Sequence, residues 1–177
     1  KDDPFLSDYD LSEYDTYKEF YYAQKYKDSD RPFLQSDLEA DYHDTSLYMI
    51  GNVSVSVILP ESIDGSEDWT QAEIDNVHAE VEAALDWWKA REPNAHLNFI
   101  VNYEDSVMVD EEAIEENGID WWLLDTMTEL GYGYENYGDG TTSNWLEGIY
   151  AYVNYKMTEK NTDWGFIIFV VDSSNDE

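Results

Sequence analysis

The chain has 177 residues, a length that predicts one domain, and it sets 41 Asp and Glu against 9 Lys and Arg for a formal charge of −32. A surface of that sign repels phosphate backbones and anionic lipid headgroups, which excludes ordinary nucleic-acid binding and attraction to acidic membranes. Aromatic residues make up 16% of the chain; disordered acidic chains are poor in them, so this sequence is expected to build a core.

Residues 1–45 read as an acidic, tyrosine-rich arm. They hold 13 acidic and 5 basic residues and Tyr9, Tyr14, Tyr17, Tyr21, Tyr22, Tyr26 and Tyr42, but only four leucines as aliphatic residues. Ser7-Asp8-Tyr9-Asp10 is echoed by Ser12-Glu13-Tyr14-Asp15. Such a segment lacks a core of its own and is expected to pack its rings on the domain or on a neighbour, or to stay disordered. Its first twenty residues contain no apolar stretch, so no signal peptide is expected there.

Residues 46–177 carry the other 28 acidic and only 4 basic residues, and here the periodicities are clear. Asn52-Val53-Ser54-Val55-Ser56-Val57 alternates with period two and runs on through Ile58 and Leu59 to Pro60, which predicts a strand with one buried face. Thr70-Gln71-Ala72-Glu73 has capping-box spacing. Ile74, Val77, Val81, Ala84 and Trp88 then share one stripe, so a helix is predicted over 70–91, stopped by Pro93. Leu97 to Val101 reads as a second strand. Ile119, Trp122, Leu123, Met127 and Leu130 mark a second helix, ended at Gly131. A third begins near Ser143 or Asn144, with Leu146, Ile149, Val153 and Met157 on its stripe. Trp164 to Val171 is apolar on both faces, the pattern of a central parallel strand. The order β-α-β-α-α-β predicts an α/β half-domain with a central, mostly parallel sheet between helical layers. Three strands make a narrow sheet, so the rest of the fold is expected from the remaining C-terminal part or from a neighbouring subunit. No run of 18 apolar residues exists, so no membrane-spanning helix is predicted.

Chemistry-bearing motifs are sparse. Like charges at this density destabilise the compact state. Screening by salt, or divalent cations held by clustered carboxylates, would relieve that cost. Ligands of open α/β sheets sit beyond the carboxyl ends of the strands, where Asp172, Asn175 and Asp176 are candidate calcium ligands beside Ser173 and Ser174. Asp64, Ser66 and Asp68 place oxygen donors on alternate positions, as calcium loops begin, without the glycine and the distal glutamate of a full EF-hand loop. His43, His78 and His96 are scattered, with no His-Glu-x-x-His. A chain without cysteine has neither disulfides nor thiolate metal sites. No nucleophile elbow, phosphate loop or dinucleotide fingerprint occurs. Asn52-Val53-Ser54 is a glycosylation sequon inside a predicted strand.

The run Ile50-Gly51-Asn52-Val53-Ser54-Val55-Ser56-Val57-Ile58-Leu59-Pro60-Glu61-Ser62, with Glu67-Asp68-Trp69-Thr70, Ala84-Leu85-Asp86-Trp87-Trp88, Asn94-Ala95-His96-Leu97-Asn98-Phe99 and Trp164 to Ser173, resembles the start of a secreted, metzincin-like (zincin) zinc metallopeptidase catalytic domain of bacteria. The likeness spans about residues 46–177. It implies a sheet-and-helix upper subdomain, an extracellular setting, and zinc in the complete protein. It assigns no catalytic residue, because the family's zinc-binding His-Glu-x-x-His helix would lie beyond Glu177. The expectation is therefore the N-terminal portion of a zinc-dependent peptidase, inactive by itself. The alternative is a non-catalytic extracellular structural or adhesive subunit, with calcium as a stabilising ion, that forms homo-oligomers or filaments through its arm.

Overall fold

The computed structural model describes residues 43, 45, 46, 49–65, 68–110, 120–133 and 146–172. Their order is β1 (Asn52–Ser62), α1 (Gln71–Arg91), a short 3₁₀ turn (Pro93–Ala95), β2 (Asn98–Val109), α2 (Asp120–Glu129), α3 (Leu146–Lys160) and β3 (Trp164–Phe169). The three strands form one parallel sheet in the order β2-β1-β3. This is the α/β class that the alternation of patterns predicts.

Strand position departs from the sequence reading. The apolar segment beginning at Trp164 was expected mid-sheet, but it lies at the border, paired only with β1 among the described residues. The centre belongs to β1, which was expected to bury one face and buries both. Val53, Val55, Val57 and Leu59 point into a core roofed by α1, where Ile74 and Leu85 meet Phe99 and Trp164. On the opposite face Ile58 joins Val107, Met127, Tyr152, Val153 and Met157 under α2 and α3.

Two features of β1 explain how it holds the centre. Ser54 and Ser56, each 2% exposed, keep its second face low enough for a helix to approach. Pro60 has no N–H for a ladder, and it sits where the register slips. Ile58 pairs with Glu104, but Pro60 pairs with Val107, so β2 carries one extra residue there. That bulge places Ser106 in the left-handed region at φ +58°.

The helices begin and end as their sequences dictate. Thr70 caps α1: its hydroxyl accepts from the Glu73 N–H, and the Glu73 carboxylate accepts from the Thr70 N–H at 2.8 Å. Lys89 and Arg91 complement the negative end of the same helix. Helix α3 lies close on β3 because Gly165 faces it. A Cβ at that position would stand 2.8 Å from Met157 Cγ and 2.9 Å from Val153 Cγ1. The second strand runs to Val109, well past the predicted Val101, because beyond the bulge Val107, Met108 and Val109 go on pairing with Pro60, Glu61 and Ser62 of β1.

Candidate functional site

Of the sequence-predicted cation ligands, Asp64 and Asp68 follow β1 and Asp172 follows β3. Asp64 lies in the turn after β1, where the Gly65 N–H donates to the Ser62 carbonyl at 3.1 Å. The Asp68 carboxylate folds back toward Gly65, its Oδ2 at 3.4 Å from where a Cβ would stand. Asp172 is half-buried just past β3. Ser66, Asn175 and Asp176 lie outside the described residues. Among the described residues no group of three or more His, Asp or Glu is placed to hold a metal ion.

The histidines are held by different partners. His43 Nε2 lies 3.0 Å from Glu147 Oε1 on α3, with its ring edge-on to Tyr150. His78 on α1 stacks on Tyr103 of β2, ring centroids 3.7 Å apart, and its Nε2 lies 2.9 Å from Asp105 Oδ1. His96 takes a left-handed conformation at the end of the 3₁₀ turn. These residues do not fit a zinc site, so no step of zinc chemistry is assigned to them.

A polar cluster that sequence reasoning missed lies between the second face of the sheet and α3. Glu104 of β2 accepts from Asn102 Nδ2 at 2.9 Å, Lys156 Nζ at 3.0 Å and the Tyr152 hydroxyl at 3.1 Å, all at Oε1. Lys156 also lies over the Tyr152 ring, 5.3 Å from its centroid. Burial works against ionisation of Glu104, but the donors Asn102, Lys156 and Tyr152 together outweigh it and hold its carboxyl below the usual range. Tyr152 goes the other way. Its burial, with the Glu104 carboxylate beside it, pushes the phenol well above the usual tyrosine value, against a smaller opposing effect of Ser56.

The chemistry of this cluster follows from those two directions. A tyrosine that serves as a proton donor or acceptor near neutral pH needs its proton loosened. Tyr152 is held protonated, and its O–H is committed to Glu104. Lys156 is committed to the same carboxylate. The group therefore ties α3 to β2. One signal was available in the sequence: Tyr152 and Lys156 stand four apart on the helix, and Ser54, Ser56, Asn102 and Glu104 occupy alternate strand positions. The same face buries Ser54 Oγ with no hydrogen-bond partner among the described residues.

A second polar contact joins α1 to β2. Burial raises the Tyr103 phenol, and the carboxylates of Glu82 and Asp105 raise it further. Its hydroxyl is buried without a hydrogen-bond partner among the described residues. Beyond these clusters, the exposed aromatics Trp87 and Trp88 meet edge to face on α1, with the Arg91 guanidinium over Trp87.

Comparison with known proteins returned no match: no family model, no curated protein and no solved structure matches the chain.

Proposed function

We propose that residues 46–177 are the sheet-bearing half of a secreted, zinc-dependent peptidase domain, inactive by themselves because the zinc-binding helix is not among them. The reading begins from the resemblance carried by Ile50–Ser62, Ala84–Trp88, Asn94–Phe99 and Trp164–Ser173. One structural observation supports it: β3 is an apolar parallel strand whose outer side has no strand partner among the described residues. The N–H of Val170 bonds inward to β1 and that of Gly165 points outward, to the Thr45 carbonyl. By strand alternation, the backbone groups of Ile167 and Phe169 face outward as well. An apolar edge with no strand neighbour among the described residues is a place where a further strand can join the sheet.

At the end of the arm, His43 is engaged with Glu147 and Tyr150 of the same chain, and Thr45 is 5% exposed and accepts from Gly165 of β3.

The test is the full reading frame that encodes this chain. A His-Glu-x-x-His downstream of Glu177, with zinc bound and chelator-sensitive hydrolysis of a denatured protein, is the expected outcome. A frame without that motif, or a full-length product that binds no zinc, overturns the proposal.

A further inference from the structure

We infer that ionic strength gates the docking of α2 on the second face of the sheet. The charge map singles out this helix. From Glu92 to Tyr155 the chain contains fourteen Asp and Glu and no Lys or Arg. Strand β2 and the whole of helix α2 lie inside that stretch, as do residues 146–155 of α3, whose last turn leaves it at Lys156 and Lys160. Helix α2 has no basic residue in its last turn and ends on Glu129, where a carboxylate meets the negative end of the helix dipole. The other two helices are better provided. Lys89 and Arg91 close α1, and Lys160 closes α3.

The local contacts add to the imbalance. Asp125 of α2 accepts the backbone N–H of Asp110, a bond that holds the helix to the end of β2 but brings two acidic residues together, with no Lys or Arg ion-paired to either among the described residues. Against this repulsion stand the buried side chains Trp122, Leu123, Thr126 and Met127. The Thr126 hydroxyl donates to the Trp122 carbonyl and so adds nothing across the interface. A helix of 10 residues is marginal by itself in water and persists through its tertiary contacts. Its hold on the sheet is the difference between a small apolar seat with one backbone-to-carboxylate bond and a long-range repulsion.

Salt acts on one side of that difference. The screening length falls from about 10 Å at 0.1 M to about 3 Å at 1 M, which removes repulsion between exposed carboxylates and leaves apolar burial intact. At low ionic strength α2 lifts away as a unit, uncovering Ile58, Val107 and Phe169, while α1 and α3 stay on the sheet.

Hydrogen exchange of the full 177-residue chain, followed by mass spectrometry in 0.1 M and 2 M KCl, tests the gate. Amides of α2 are expected to gain at least about tenfold in protection in 2 M KCl, with little change over α1. Equal gains in both helices would signal global stabilisation and overturn the inference, as would an α2 insensitive to salt. A third arm uses 5 mM CaCl₂ at about 0.1 M total ionic strength. Full protection of α2 there would mean a bound divalent ion rather than screening, and would also overturn it. Glu129→Lys places a cation in the last turn at an exposed position. It is expected to raise α2 protection in 0.1 M KCl by about threefold, and no gain counts against the gate.

Discussion

Replacing Lys156 with Met probes the tie between α3 and the sheet. The Lys156 side chain is 12% exposed and its partner Glu104 is 29% exposed. The substitution keeps most of the apolar stem and removes the ammonium, leaving an ionised, part-buried carboxylate with two neutral donors. A charged hydrogen bond contributes about 1.5–3 kcal/mol, and orphaning one member of a fully buried pair costs about 3–5 kcal/mol. Water reaches Glu104, so the lower range applies, and about 2 kcal/mol is expected. For a domain of this size that is a fall in Tm of about 6 °C. Glu104→Gln alone is expected to cost about 1 kcal/mol. The double variant is the decisive measurement. With the charge removed from both sides the Gln amide keeps a neutral partner in Tyr152, so the double variant is less destabilised than the sum of the singles by at least about 1 kcal/mol. Denaturant titrations in 2 M KCl, where distant charges are screened, supply the cycle. Single-variant costs that simply add would refute the tie. The pH dependence carries the same logic. Glu104 is held below the usual carboxylate range when folded, so its contribution is present above the unfolded carboxylate pKa and is lost as pH falls through the lower folded value. In Lys156→Met that part of the acid limb of the stability profile is expected to shrink.

Three further variants test the packing. Gly148→Ala would put a Cβ 2.1 Å from the backbone carbonyl of Tyr132, whereas the close neighbours of a Cβ at Gly165 are the side chains of Met157 and Val153. Denaturation midpoints should show a loss of about 3 kcal/mol for Gly148→Ala and about 1–2 kcal/mol for Gly165→Ala; the reverse order would contradict the described seating of α3. Thr70→Ala should cost about 1 kcal/mol by removing the cap of α1, and Thr70→Ser should restore most of it. Tyr152→Phe should cost about 1 kcal/mol through the lost bond to Glu104, and an unchanged midpoint would show that this hydroxyl does nothing for the fold.

What the sequence made legible was set by side-chain periodicity, and what it hid was set by the backbone. The α1 boundary was readable because Thr70 and Glu73 are a local device: a box of four residues satisfies two N–H groups at the start of the helix. The α/β class was readable because stripes of period 3.6 and runs of period 2 alternate along the chain. The order of strands was not. Val-Ser-Val-Ser predicts one wet face, yet Ser54 and Ser56 are as buried as the valines beside them. They are small, and a helix lies above them. An apolar strand such as Trp164–Phe169 reports that both its faces are covered, here by α1 on one side and by α2 and α3 on the other. It says nothing about its two hydrogen-bonding edges, because those lie in the plane of the sheet and involve no side chain. Covered faces were thus mistaken for a central position. The Glu104 cluster stayed hidden for a related reason. Lys156 and Glu104 are 52 residues apart, and Tyr152 and Lys156 by themselves look like an ordinary solvent-facing pair on a helix. Only the register that brings Asn102 and Glu104 beside Ser56 and Ile58 puts a carboxylate under that pair. Pairing register comes from strand alignment rather than from composition, so an acidic residue that serves as a fastener looked the same as the many that serve only as charge.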